Sequence, residues 1–117
     1  MMMKNKLLNQ ITYEAQTQYD KLTKLIFSSG AGKQSQKDFT SLKSLRFLRL
    51  YGAGTYGLNI PMDIVALSIS ESKITSVSMF ANLTKLRFLD LSKNYLTDCS
   101  PLKYLINLEH LNISQYE

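Results

Sequence analysis

The sequence has few of the features that mark secreted or membrane-embedded chains. It contains a single cysteine, Cys99, which excludes an internal disulfide framework. No apolar run approaches the roughly 18 residues that a membrane-spanning helix needs. After its first basic residues the N-terminus has only Leu7 and Leu8 as consecutive apolar residues, whereas a secretory signal needs an apolar core of about 7 to 15 residues. These absences predict an intracellular, cytoplasmic protein.

The composition is that of one globular domain. The chain has 117 residues, of which 44% are hydrophobic and 20% are charged, so it has room for one continuous core and no second one. The net charge of +5 is uneven, because residues 1–50 carry nine Lys and Arg against three Asp and Glu, whereas residues 51–117 carry five against six. A basic half suits nucleic acid or an anionic surface. Since these lysines are scattered, we predict neither a nucleic-acid nor a membrane partner.

An internal repeat of apolar residues runs through the C-terminal two-thirds of the chain. Five apolar positions recur together over four units, and each set of equivalent positions forms a column. The first two units are separated by a shorter interval than the later ones, which are equally spaced. Pro61 is the one non-aliphatic member of its column. The columns are Phe39, Leu58, Phe80 and Leu102; Leu42, Pro61, Leu83 and Leu105; Leu45, Ile64, Leu86 and Leu108; Leu48, Leu67, Leu89 and Leu111; Leu50, Ile69, Leu91 and Ile113. Such a regular period predicts a stack of short structural units.

The spacing within one unit predicts its local structure. Leu89 and Leu91 alternate around Asp90, which places both leucines on one face of a short strand. Leu83 and Leu86 precede them at the three-residue spacing of a helical turn. Because one unit cannot bury its apolar side alone, we expect the units to stack, with parallel strands along one side and the returning segments along the other.

The most regular unit, residues 83–102, carries the resemblance to a known family. Leu89-Asp-Leu91-Ser-Lys-Asn94-Tyr-Leu96 resembles the leucine-rich repeat signature Leu-x-Leu-x-x-Asn-x-Leu. The repeat length and the segment 97–102 are similar to the 22-residue class found in bacterial internalins, a regulatory subunit of the type-one phosphatase and an axonemal dynein light chain. The resemblance implies an α/β fold, a short solenoid with a parallel sheet on its concave side and helical or irregular returns.

The asparagine position of this signature is filled in one unit only. Asn94 occupies it, and its side-chain amide can satisfy the buried backbone of the turn. The equivalent residues of the other units are Ala53, Ser72 and Tyr116. We therefore predict that Asn94 is a structural ladder residue and that the other turns are less regular.

The segment before the clear repeats, residues 1–38, allows two interpretations. Leu8, Ile11, Ala15, Tyr19, Leu22 and Ile26 recur at helical spacing, which predicts an amphipathic helix over about residues 4–28. Alternatively, Tyr19, Leu22, Leu25 and Phe27 precede the four leucines of residues 42–50 at one constant interval, which makes residues 19–38 a degenerate fifth repeat. In either case residues 1–38 are predicted to cap the repeats of residues 39–117, whose last unit is incomplete.

Three patterns resemble chemical sites without meeting their requirements. Gly52-Ala-Gly54-Thr-Tyr-Gly57 matches a dinucleotide fingerprint, but the next predicted strand follows too soon for the helix that would receive the pyrophosphate. The segment around Gly32 and Lys33 lacks the residues that a phosphate-binding loop needs at two positions. Cys99 and His110 lack the further groups of a zinc site or a catalytic pair. We predict no enzymatic activity, no cofactor and no metal.

The residues between the core leucines of each strand define the candidate binding surface. They are expected to point away from the core, on the concave side, and aromatic and arginine side chains are favoured anchors in protein interfaces. The alternative for the phenylalanines is packing on the stems of Arg46 and Arg87. The predicted binding residues are Phe47, Arg49, Tyr51, Phe88, Asp90, His110 and Asn112.

The predicted function is that of a non-enzymatic module that binds a protein partner through this face. One alternative is a structural fragment of a longer solenoid, and another is binding of nucleic acid or an anionic surface through the basic N-terminal half. The last strand is predicted to have an open edge, through which the chain could associate with itself.

Overall fold

The computed structural model describes residues 22–28, 37–52 and 54–116 of the chain. Their regular elements are five short strands and two 3₁₀ helices. The strands are β1 (Lys24–Ser28), β2 (Phe47–Tyr51), β3 (Ala66–Ser70), β4 (Phe88–Asp90) and β5 (His110–Asn112), and the 3₁₀ helices are Ser78–Phe80 and Ser100–Tyr104.

The strands form one parallel sheet in the order β1-β2-β3-β4-β5. The pairing aligns Leu25, Leu48, Leu67, Leu89 and Leu111 across all five strands. A parallel neighbour requires a crossover connection, and here each crossover is one repeat unit. The structure is therefore a short solenoid with a parallel sheet along one side, as the apolar columns predict and as the resemblance to leucine-rich repeats implies.

The returning segments explain the three-residue spacing of the apolar residues. In the third unit the amide of Phe80 donates to the carbonyl of Val77, that of Leu83 to Phe80, and that of Leu86 to Leu83, at 2.9–3.1 Å. These are successive 3₁₀-type turns, in which side chains three residues apart lie one above the other. The first and last units repeat this pattern of bonds at the equivalent leucines. Each return therefore presents one apolar stripe to the sheet.

The core lies between the sheet and the returns. Phe39 and Phe80 are fully buried beneath the returns, and Leu48, Leu50 and Ile69 are fully buried beneath the strands. Burial becomes incomplete toward β5, where Leu108 and Ile113 are half-buried and Leu111 is 46% exposed. The core is thus continuous along the stack and is least covered at its last strand.

The segment before the first clear repeat differs from one of its two predicted structures. Residues 24–28 form strand β1, so a helix that continues to residue 28 is wrong for this segment. The carbonyl of Thr23 accepts the amides of Arg46 and Phe47, as the carbonyl of Arg46 accepts those of Val65 and Ala66. The segment therefore follows the backbone pattern of the later repeats, and in this position Leu22 and Leu25 pack against the core. The rest of both predictions, over residues 1–21 and 29–36, lies outside the described residues, and the boundary at residue 38 stays a prediction.

Candidate functional site

The outward side of the sheet carries the predicted binding residues. Strand alternation turns Leu48 and Leu50 toward the core and leaves the residues between them on the opposite face. Phe47 and Asp90 are half-buried on that face. The other predicted residues, Arg49, Tyr51, Phe88, His110 and Asn112, are exposed on it. Their placement follows the register, whereas their part in binding stays a prediction.

A shallow groove of about 420 Å³ crosses this face between β2 and β5. Its lining brings together five of the predicted residues, namely Phe47, Phe88, Asp90, His110 and Asn112. Arg49 and Tyr51 do not line it. Ala66 and Ser68, which were not among the predicted binding residues, supply the middle of the groove. Both side chains are small and lie between larger ones of the neighbouring strands, and this difference in size creates the depression. It can be recognised only once the strands are aligned.

The two phenylalanine rings make different local contacts. The Phe88 ring stacks on the His110 ring of the next strand, with centroids 4.8 Å apart and planes inclined by 6°, and the Arg87 guanidinium carbon lies 5.8 Å from the Phe88 centroid. The Phe47 ring lies 5.1 Å from the Lys24 ammonium. Arg46 instead donates to the main-chain carbonyls of Lys43 and Leu45. The alternative interpretation, in which each phenylalanine packs on a neighbouring arginine, therefore applies in part to Phe88, whose ring is also stacked on His110.

Two ion pairs link neighbouring repeats beside this face. Lys85 lies 2.7 Å from Asp63 of the preceding repeat, and Arg87 pairs with Glu109 of the following one. The Arg87 guanidinium holds the pKa of the Glu109 carboxyl below its ordinary value through a hydrogen bond. Both pairs are largely exposed, so we expect each to contribute little to stability, about 0–1 kcal/mol.

A cluster of tyrosines surrounds Glu71 at the end of the strands. The Tyr116 hydroxyl donates to the Glu71 carboxylate at 3.0 Å. Interaction with the Tyr51 and Tyr116 hydroxyls lowers the pKa of Glu71, and interaction with Glu71 raises the pKa of both tyrosines. The Tyr95 ring lies 5.4 Å from the Tyr116 ring. Tyr51 is thus tied to a structural cluster beyond the groove.

Asn94 is fully buried and binds the backbone of two repeats. Its side-chain oxygen accepts the amides of Ser72 and Ile74 at 3.0 and 3.2 Å. Its side-chain nitrogen donates to the carbonyls of Ile69, Leu91 and Ser92 at 2.8–3.1 Å. The amide group thereby satisfies main-chain groups that the turn leaves without partners.

Gln115, and not Tyr116, makes the equivalent bonds in the last unit. Its side-chain oxygen accepts the amide of Leu96 at 2.8 Å, and its nitrogen donates to the carbonyls of Leu91 and Ile113. These three main-chain groups are the equivalents, one repeat later, of the Ile74 amide and the Ile69 and Leu91 carbonyls that bind Asn94. The signature points to Tyr116, whose ring is 44% exposed. Gln115 is one residue earlier and one methylene longer, so its amide reaches the same place.

The glycine-rich turn and the single cysteine have structural surroundings. Gly52, Gly54 and Gly57 all have φ between 60° and 69°, a backbone conformation that residues other than glycine adopt with difficulty. Cys99 is half-buried against the core, in the column of the fully buried Val77. Over the described ranges, no three His, Cys, Asp or Glu side chains form a group able to hold a metal ion, and no helix is long and apolar enough to cross a membrane.

The repeated columns and the parallel sheet define one class, and a family model agrees with it. The model for leucine-rich repeats in two copies matches residues 66–104, so this part of the chain consists of leucine-rich repeats. Such domains generally serve as protein-interaction modules.

Two relatives with curated names share part of these repeats. Human and bovine leucine-rich repeat-containing protein 23 are each 41% identical to this chain over 44 residues. The matched segment covers 38% of this chain and 13% of each relative. The similarity therefore concerns the repeats, and this chain matches only a small part of the relatives' length.

Proposed function

We propose that the chain is a non-enzymatic, cytoplasmic module that binds a protein partner through the concave face of its sheet. The observation that carries this proposal is the exposure of aromatic rings on that face, because Phe88 is 40% exposed on a strand whose core side is already filled by Leu89. A solvent-facing strand position does not need phenylalanine to fill the core. Exposed aromatic residues around a groove are characteristic of protein interfaces.

The composition of the face favours a protein over a nucleic acid. Lys24 and Arg49 stand at one end, whereas Asp90 lies in the groove itself. A carboxylate in the middle of the surface repels phosphates and removes the continuous basic stripe that nucleic-acid binding requires. The bound partner is therefore expected to be a polypeptide.

Replacing both groove phenylalanines is the direct test of this proposal. Partners captured from a cell extract by the full chain would be identified by mass spectrometry, and the leading one would be purified. With Phe47→Ala and Phe88→Ala combined, we expect its affinity, measured by calorimetry, to fall by about 30-fold or more, because buried aromatic anchors contribute most of the energy of such interfaces.

The control uses exposed apolar residues of the returning side. Met79 and Tyr104 lie on the two 3₁₀ helices and are 48% and 58% exposed. Met79→Ala with Tyr104→Ala is expected to leave the affinity within about twofold, as is typical of surface residues outside an interface. Equal affinity of the groove variant and the unchanged chain would refute binding through the concave face and favour the rival proposal, a structural segment of a longer solenoid.

We also propose self-association through the edge strand β5. Within the described residues β5 pairs on one side with β4, and all three of its residues are exposed. Leu111 occupies the position of the fully or nearly fully buried Leu48 and Leu89. An exposed apolar edge favours pairing with another strand.

Light scattering tests this second proposal. We expect the molar mass to rise with concentration from 13.4 kDa toward twice that value, and the substitution Leu111→Lys to restore the monomer, because a charge on an edge opposes pairing. A constant monomer mass at every concentration would contradict edge association, and it would leave the concave-face proposal unaffected.

A further inference from the structure

The residues at the first outward position of each strand form a ladder across the sheet. The pairing aligns Lys24, Phe47, Ala66, Phe88 and His110 in this order. Every member except Ala66 is a long or aromatic side chain. Ala66 therefore leaves a slot between the Phe47 and Phe88 rings, and all three residues line the groove.

Each ring is covered on the face that points away from this slot. The Lys24 ammonium lies over the Phe47 ring from the β1 side, and the His110 ring covers Phe88 from the β5 side. Because His110 is nearly parallel to Phe88, the second face of the Phe88 ring is turned toward the strand of Ala66. The Arg87 guanidinium carbon lies 5.8 Å from the Phe88 centroid, and Arg87 pairs with Glu109 of the following repeat. From the strand order we infer that the remaining faces of the two rings border the space above Ala66.

The spacing of the strands sets the width of the slot. Neighbouring strands lie about 4.8 Å apart, so side chains two strands apart are rooted about 9.6 Å apart. A single side chain between two rings needs about 7 to 8 Å, since carbon atoms in contact are about 3.5 to 4.0 Å apart. The slot is therefore one side chain wide, and a flat or linear group fits it best.

A carboxylate lies beside this slot. Asp90 is two residues after Phe88 on the same face and also lines the groove. Its oxygens accept the Ser68 hydroxyl at 3.3 Å and the Ser92 amide at 3.0 Å, which orients the group. Neither ion pair of the described residues involves Asp90. Arg49, the other charged residue of this column, lies two strands from it. The charge is positioned and has no cationic partner within the described part of the chain.

We propose that the slot between Phe47 and Phe88 binds an arginine side chain of the protein partner, with its guanidinium between the rings and hydrogen-bonded to Asp90. A planar guanidinium stacks on aromatic faces and forms directed bonds to a carboxylate, which an ammonium does less well. A purely apolar side chain would bury the Asp90 carboxylate without a cation to offset its charge. This inference rests on the proposed function and specifies the residue that the partner presents.

Nuclear magnetic resonance of the full, ¹⁵N-labelled chain tests the proposal with defined probes. The first probe is N-acetyl-arginine amide, and the matched control is N-acetyl-citrulline amide, which has nearly the same shape without the charge. We expect the arginine probe to shift the amide signals of Ala66, Ser68 and Asp90 in a saturable manner. The citrulline and the corresponding lysine probes are expected to bind at least about fivefold more weakly.

Two substitutions locate the effect in the slot. Asp90→Asn is expected to weaken binding of the arginine probe about tenfold, and Ala66→Leu to abolish it by filling the space. Asp98→Asn is the charge-matched control, because Asp98 lies on a return and accepts the Ser100 amide, a bond that asparagine can also accept. This variant is expected to bind the probe like the unchanged chain.

Different measurements test the arginine slot and the concave face. The arginine slot would be overturned if the citrulline or lysine probe bound equally well, or if Asp90→Asn left binding unchanged. It would also be overturned if the arginine probe gave no saturable shift or shifted signals outside the groove. The affinity of the purified partner for the Phe47 and Phe88 variant tests the concave face independently. Partner binding that is lost in that variant and unchanged in Ala66→Leu would keep the face and reject the slot.

Discussion

Replacing Asn94 with alanine is expected to lower the free energy of unfolding by about 4 kcal/mol, because several buried main-chain groups lose their partners at once. The amides of Ser72 and Ile74 and the carbonyl of Ile69 belong to the preceding repeat. Their bonds to Asn94 join two units of the stack. A loss of this size is a large part of the roughly 5–15 kcal/mol that stabilises a small domain, so we expect a marked fall in the midpoint of denaturation.

Chemical denaturation followed by circular dichroism measures this effect, with Asn107→Ala as the control. Asn107 makes one described side-chain bond, to the Thr84 carbonyl, and is exposed. The same chemical change at that site is expected to alter the free energy of unfolding by less than about 1 kcal/mol. If the two variants were equally stable, Asn94 would not hold the repeats together, and the turn would have to satisfy its backbone in another way.

Replacing Phe80 with alanine is expected to destabilise the chain by about 3–5 kcal/mol, the usual cost of removing a fully buried phenylalanine. Phe80 is 0% exposed and lies at the end of the first 3₁₀ helix, where its ring fills the space beneath the returns. Neighbouring repeats cannot close around the vacated volume, because their own apolar columns are held in register by the sheet. Equilibrium unfolding in urea, monitored by circular dichroism, gives the difference directly.

Phe88→Ala is the matched control for this substitution, because it is the same change on the opposite face of the solenoid. Phe88 loses its stacking on His110 and leaves no interior cavity, so the cost is expected to stay below about 1.5 kcal/mol. A Phe88 variant as unstable as the Phe80 variant would mean that this ring has a structural role. In that case its effect on partner binding could not be interpreted as a loss of contact.

The alternation of apolar and polar residues allowed the outward face of the sheet to be predicted from sequence. Phe47, Phe88 and His110 were placed on the outward side because they lie between core residues of the same strands. The groove itself could not be predicted in this way, since it depends on Ala66 and Ser68 being flanked by larger side chains from other strands. That arrangement exists only when the strands are paired in register.

The departures from prediction have a common physical origin in tertiary context. The helical spacing around Leu22 and Ile26 is compatible with a helix, yet residues 24–28 pair with β2, because the first repeat offers an unpaired strand edge and an uncovered core. Likewise, the signature assigns the last turn to Tyr116, whereas the amide of Gln115 takes the role. A local pattern cannot distinguish two adjacent residues when side-chain length compensates for position.

The sequence by itself determined the repeat, its period and the core residues. One unit cannot bury its apolar residues alone, so units with apolar residues at fixed spacing must stack. It also identified Asn94 as the residue whose side chain satisfies the buried main-chain groups of its turn. Only the tertiary structure decided that a strand precedes the first clear repeat and that Gln115 completes the last one. It alone brought Phe47, Phe88 and Asp90 to one groove, since this arrangement joins residues of different repeats through the spacing of paired strands.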